Sequence, residues 1–169
     1  MRNRSQAIVC RDDKILLVKH FLKGRYFYNL PGGGVEEGET PAEAALRELQ
    51  EEAGVTGKIL RPLSVQYKPD LESRIFSFLV EISDDAIPEK GIDPELPEEE
   101  QTILSVHWLK IDEIPERDRA YLFDAGLLRI PLFHEEVLRW MDDSIRNKYY
   151  MVKNLIFICS SCIIKEIVK

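Results

Sequence analysis

Gly33-Gly-Val-Glu-Glu-Gly-Glu39-Thr-Pro-Ala-Glu-Ala-Ala-Leu-Arg47-Glu48-Leu49-Gln-Glu51-Glu52-Ala-Gly54-Val55 is the stretch that decides the fold. A glycine-rich segment runs into a helix whose ends are both marked. Thr40 suits the N-cap, Pro41 the first helical position, and Glu43 completes a capping box. Gly54 suits the stop. At 100° per residue, with Glu48 at zero, Glu52 falls at about 40° and Glu51 at about −60°, so three carboxylates share one arc. Ala42, Ala45, Leu46, Leu49 and Ala53 centre on a separate arc, roughly 120° away. One side packs on a sheet and the other offers oxygens. Like charges at these spacings repel by tenths of a kcal/mol per pair, a penalty that a cation between them removes.

Magnesium takes oxygen ligands in an octahedron and keeps several waters, so carboxylates from one helix plus phosphate oxygens of a substrate suit it. Gly32, Gly33 and Gly34 let the backbone approach a ligand closely, and the chain then leads to the helix N-terminus with its unpaired N–H groups. The spacing excludes the GxxxxGK[ST] phosphate loop and the dinucleotide fingerprint.

Outward from this core, Ser5–Cys10 and Lys14–His20 read as strands joined at Asp12-Asp13. Ile15–Val18 is apolar throughout, as in a strand buried on both faces. Phe27–Leu30 is a short extended piece, and Pro31–Gly34 a loop. Thr56–Tyr67, Arg74–Ile82 and Thr102–Lys110 read as strands, Ser83–Gln101 as a flexible acidic loop, and Asp112–Ile114 as a turn. Pro131–Ser144 reads as an amphipathic helix with Leu132, Val137, Leu138 and Met141 inward. Mixed strands with two helices point to an α/β sandwich.

At 169 residues the chain suits one domain: residues 1–148, followed by an apolar tail, 149–169, that docks on the core or on a partner subunit. The composition is 44% hydrophobic and 31% charged with net charge −7, which argues against stable nucleic-acid or anionic-membrane binding but not against a small anionic substrate. The uninterrupted apolar run in the tail is about half of the roughly 20 residues a membrane span needs. Cys10, Cys159 and Cys162 form no disulfide framework, and no apolar signal segment follows the basic start, so a cytoplasmic location is expected. The apolar tail makes a homodimer the expected assembly.

Gly33–Val55 resembles the Nudix box, G-x5-E-x7-R-E-U-x-E-E-x-G-U with U a bulky aliphatic. Each fixed position is filled: Gly33, Glu39, Arg47, Glu48, Leu49, Glu51, Glu52, Gly54 and Val55. The Leu30-Pro31-Gly32-Gly33 lead-in and the Val106–Leu109 strand also look like this family, so the resemblance extends over residues 5–144. It implies an αβα sandwich with a mixed sheet and the carboxylate helix packed on it. The implied activity is Mg²⁺- or Mn²⁺-dependent hydrolysis of a nucleoside diphosphate linked to another group, such as ADP-ribose or a (d)NTP.

By motif position, Glu48, Glu51 and Glu52 bind metal with the Gly32 carbonyl, while Arg47 pairs with Glu39 to hold the segment against the helix. Gly33 and Gly34 face the substrate. The general base comes from the box or from the later acidic loop, where Glu98 and Glu100 are the candidates. Arg25 and Tyr28, just before the glycines, are candidates for phosphate and base contact. His20 and His107 read as packing residues. A nucleotide sensor without catalysis and an RNA 5′-end pyrophosphohydrolase are the rival readings.

Overall fold

The computed structural model describes residues 3–92, 97 and 101–134. The chain divides into two compact units, Met1–Ile130 and Pro131–Lys169, and every element below belongs to the first. Of the helix expected over 131–144, residues 131–134 are helical and the remainder, like the apolar tail, lies outside the described residues.

The central strand is β1 (Arg4–Arg11), which turns at Asp12-Asp13 into β2 (Lys14–Leu22). β3 (Arg25–Asn29) folds back on β2, and β4 (Gly32–Gly34) precedes helix α1 (Pro41–Ala53). β5 (Gly57–Lys68) and β6 (Ser73–Ile82) form a long antiparallel pair, then β7 (Ile103–Lys110) and helix α2 (Glu116–Asp124) complete the unit. β1 runs parallel to β6 from Arg4↔Ile75 to Val9↔Val80. Along its other edge it meets β4 at Arg4–Gln6 and β2 at Cys10–Arg11. β2 in turn lies between β3 and β7. The sheet has seven strands and is mixed, as expected.

Alternation along β1 sets the layers. Ala7 and Val9 enter one core with Leu16, Leu49, Ala53, Val55 and Val80, beneath α1. Gln6 and Ile8 alternate with them and face the opposite way, where Gln6 accepts a hydrogen bond from Tyr121 of α2 and donates to Ser77 Oγ at 2.8 Å. With a helix on each face, Ser5–Val9 of β1 and Ile15–Val18 of β2 are buried, and the arrangement is an αβα sandwich.

α1 is built as its sequence predicts. Thr40 caps it with both halves of the capping box in place, and Gly54 ends it at φ 68°. Its buried side is Ala44, Ala45, Leu49 and Ala53, with Ala44 standing in for the expected Ala42. Glu52 is buried beside them, so the acid and core arcs adjoin. The acidic loop after β6 closes the far end of the helix: Glu89 N–H donates to Ala53 O and Gly91 N–H to Glu52 O, both at 3.0 Å.

One expectation is corrected. Gly32–Gly34 is not a loop but a three-residue strand. Three glycines have little propensity to extend, yet Gly32 leaves no room for a side chain: a Cβ there would lie 2.6 Å from Gln6 Cβ. Close tertiary pairing overrides the local signal. No element is expected over α2, whose sequence shows no apolar stripe. Its inward side is Asp118, Tyr121, Leu122 and Ala125, which has helical spacing but includes an acid and a phenol.

Candidate active site

β4 passes along the acid face of α1, and the contact is close enough to depend on glycine. A Cβ on Gly33 would stand 2.1 Å from Glu48 Oε1. Next to it, Gly32 N–H donates to Glu52 Oε2 at 2.9 Å. Glu52 is only 8% exposed, so this carboxylate is seated and not solvated. Burial pushes the Glu48 carboxyl above the usual glutamate range, against the opposing pull of Arg47.

Arg47 is the hub. Its Nε and Nη2 meet both oxygens of Glu39 at 3.0 and 3.1 Å, the bidentate fork that planar guanidinium favours. Nη2 also donates to Gly34 O at 2.8 Å, while Nη1 reaches Glu48 Oε1 at 3.0 Å and Glu51 Oε2 at 2.8 Å. One side chain thus ties the strand, the segment before the helix and two of the helix acids together.

These groups line a cavity of about 290 Å³ that includes Gly32, Gly33, Gly34, Arg47, Glu48, Glu51 and Glu52. Its other walls are Arg4, Thr102 and one face of the β2–β3 hairpin. The pairs Leu22↔Arg25, His20↔Phe27 and Val18↔Asn29 share that face. His20, Leu22, Phe27 and Asn29 line the cavity. His20 and Phe27 stack at 5.1 Å with their rings 9° from parallel, and His20 Nδ1 lies 3.1 Å from Thr102 Oγ1.

The structure does not bring Tyr28 into this cavity. It is on the opposite face of β3, with its ring edge-on to His107 at 5.8 Å and below Lys19. Arg25 is on the cavity's face of β3 but farther out, in the next depression. Sequence reading missed Arg4, Phe27 and Asn29 and assigned His20 to packing. Period-two alternation from any one site residue of β3 selects Arg25, Phe27 and Asn29 together. Glu98 and Glu100 lie outside the described residues, although Thr102, two positions on from Glu100, lines the cavity. Cys10 is a half-buried thiol pushed up to about 12 by desolvation, which disfavours the thiolate.

The donor set fits a hard dication. All candidate ligands are oxygens, the carboxylates converge on one cavity, and the Gly33 position leaves no side chain in the way. Among the described residues, as the side chains stand, no group of three or more His, Cys, Asp or Glu is placed to hold a metal ion. Here the guanidinium of Arg47 lies between Glu48 and Glu51 and supplies the positive charge.

The chain is similar to known proteins. The NUDIX domain family model matches residues 1–129. The NAD-capped RNA hydrolase NudC of Escherichia coli is 34% identical over 105 residues, which is 62% of this chain and 37% of that protein. The match therefore spans little more than a third of the curated relative's length. Among solved structures, a NUDIX hydrolase from Nitrosomonas europaea superposes with a TM-score of 0.59 at 26% identity, over 69% of this chain and 61% of that one. A MutT NUDIX hydrolase from Burkholderia pseudomallei gives 0.55 at 25% identity, over 68% and 87%. The match covers the whole αβα unit and the acids seated on its glycine strand, and the chain belongs to the NUDIX family.

Proposed function

We propose that this chain is a divalent-metal-dependent hydrolase that cleaves the P–O–P bond of a nucleoside diphosphate linked to a further group. The observation that carries the reading is the seat of Glu52 on the Gly32 amide, with Glu48 and Glu51 facing the same cavity. Family membership and the named hydrolase relatives support it. The similarity to an NAD-capped RNA hydrolase favours, within that class, a diphosphate that joins two nucleosides.

Glu48, Glu51, Glu52 and the Gly32 carbonyl would hold Mg²⁺ or Mn²⁺. A dication there neutralises diphosphate charge and lowers the pKa of bound water. The chain's own residues do the rest. The Gly32 amide fixes one carboxylate oxygen of Glu52. Arg47 keeps β4 and α1 in register through Gly34 and Glu39. Arg4, which donates to Gly32 O at 3.1 Å, places a cation at the cavity wall where phosphate oxygens would enter. The general base that takes the proton of the attacking water is assigned to the acidic segment before Thr102, with Glu100 and Glu98 the candidates.

The test is a substrate panel in Mg²⁺: NAD, ADP-ribose, dinucleoside polyphosphates and NTPs, with phosphate-containing products separated and quantified. Wild type is expected to cleave at least one diphosphate. Glu52→Gln keeps an oxygen to accept from Gly32 but loses the charge, so turnover should fall at least about a hundredfold. Its unfolding midpoint should hardly move. Retention of full rate by Glu52→Gln in saturating Mg²⁺ would overturn the assignment.

A further inference from the structure

Resting on the reading above, we infer that the groove beside the carboxylate cavity is a subsite for an additional phosphate on the substrate, one ribose away from the diphosphate. The groove is a depression of about 380 Å³ lined by Leu22, Lys23, Arg25, Phe27 and Arg117. Leu22 and Phe27 also line the carboxylate cavity, so the two are contiguous and a ligand can run from one into the other. Among the described residues, three of the five that line it are cations and none is an acid, in a chain whose net charge is −7. A purely apolar nucleoside pocket does not need that local reversal of sign, but an anionic extension of the ligand does.

Two further observations bear on Arg117 and Lys23. Arg117 is anchored from behind: its Nε donates to Asp118 Oδ1 at 2.9 Å and its Nη2 to Tyr26 O at 3.1 Å, which fixes the guanidinium at the β3 edge beside Phe27. Lys23 occupies a costly backbone position. The β2–β3 hairpin turns through Lys23 at φ 50° and Gly24 at φ 77°, between the paired Leu22 and Arg25. Such a two-residue turn favours Asn-Gly, and a lysine there is strained. The strain is accounted for if its charge is used at the groove rim. A phosphate held by Lys23, Arg25 and Arg117 while the diphosphate meets the carboxylates is a 2′- or 3′-phosphate on the intervening ribose. The 3′ case is the first phosphodiester of a 5′-capped oligonucleotide, and the 2′ case is a phosphorylated dinucleotide.

Binding tests this without turnover. AMP, adenosine 2′,5′-bisphosphate and adenosine 3′,5′-bisphosphate contain no P–O–P bond, so calorimetry in Mg²⁺ reads affinity whether or not the chain is a hydrolase. At least one bisphosphate should bind about tenfold more tightly than AMP, with the advantage shrinking as salt rises. Which isomer gains distinguishes the two sources. Arg25→Glu should abolish the advantage. Lys23→Asn should reduce it while raising the melting temperature, since asparagine tolerates the left-handed turn and the fold is not at risk. Equal affinity of wild type for AMP and both bisphosphates would overturn the subsite, as would an advantage that survives both variants. Failure of the hydrolase reading alone would show as no cleavage of any diphosphate with the binding preference intact.

Discussion

At the residue scale, Arg47 concentrates the chemistry of charge. Its fork holds the Glu39 carboxyl below the usual glutamate range, against partial burial that pushes it up. A lowered folded-state value means that the folded protein resists protonating Glu39 more than the unfolded chain does. The stability the pair contributes is therefore present above the ordinary glutamate range and is lost as pH falls through the folded value. Glu39→Gln should consequently be less stable than wild type at neutral pH, with the gap narrowing in acid. Urea unfolding of both proteins across a pH series measures this, and a gap independent of pH would refute it. The three helix acids were legible because they share an arc on one helix, and the Glu39–Arg47 pair, eight residues apart, because the resemblance to the Nudix box implies it. Phe27, Asn29 and His20 were not, because their membership depends on which face of a hairpin meets α1. That is decided by strand pairing across the sheet.

At the scale of elements, α2 protects an edge. β3 is the outermost strand on its side of the sheet order and would expose unpaired backbone groups. Asp118 covers it: Oδ2 accepts from Tyr28 N–H at 2.9 Å, and the residue is 5% exposed. Asp118→Ala leaves that amide without its acceptor and should cost about 1–3 kcal/mol. Asp118→Asn keeps one acceptor oxygen and should cost less. Denaturant titration measures both, and equal midpoints for wild type and Asp118→Ala would show that the edge is held by other contacts. The same acid explains why α2 was hard to read in the sequence. Apolar periodicity finds a helix that buries hydrocarbon, whereas this one turns a carboxylate, a phenol and Leu122 inward. β4 was hidden for the opposite reason, since Gly32–Gly34 carry no side chains on which a pattern could be written. α1, with caps at both ends and a compact alanine–leucine face, was legible nearly to the residue.

At the scale of the whole molecule, the strands and the carboxylate helix form one unit in which an acidic cavity opens beside a basic groove. Cation binding to the folded state alone stabilises it by mass action, about 2.7 kcal/mol at a hundred times the dissociation constant. Mg²⁺ should therefore raise the melting temperature of wild type relative to a chelator. It should do little for a Glu51→Gln/Glu52→Gln double variant, and NaCl at matched ionic strength should not mimic it. Thermal scans in the three conditions decide this, and an equal rise in the double variant would place the cation elsewhere. Among the described residues no helix is long and apolar enough to cross a membrane.

The loop that latches α1 at its far end has a practical consequence. The amides of Glu89 and Gly91 close onto the carbonyls of Ala53 and Glu52, and a methyl at Gly91 would fall 1.7 Å from Glu51 O. Thr40 grips the opposite terminus, so the rod cannot slide along its own axis without releasing one catch or the other. Deuterium uptake at those two amides then becomes a remote gauge, readable in the ligand-free protein, of whether the carboxylates of this helix are seated.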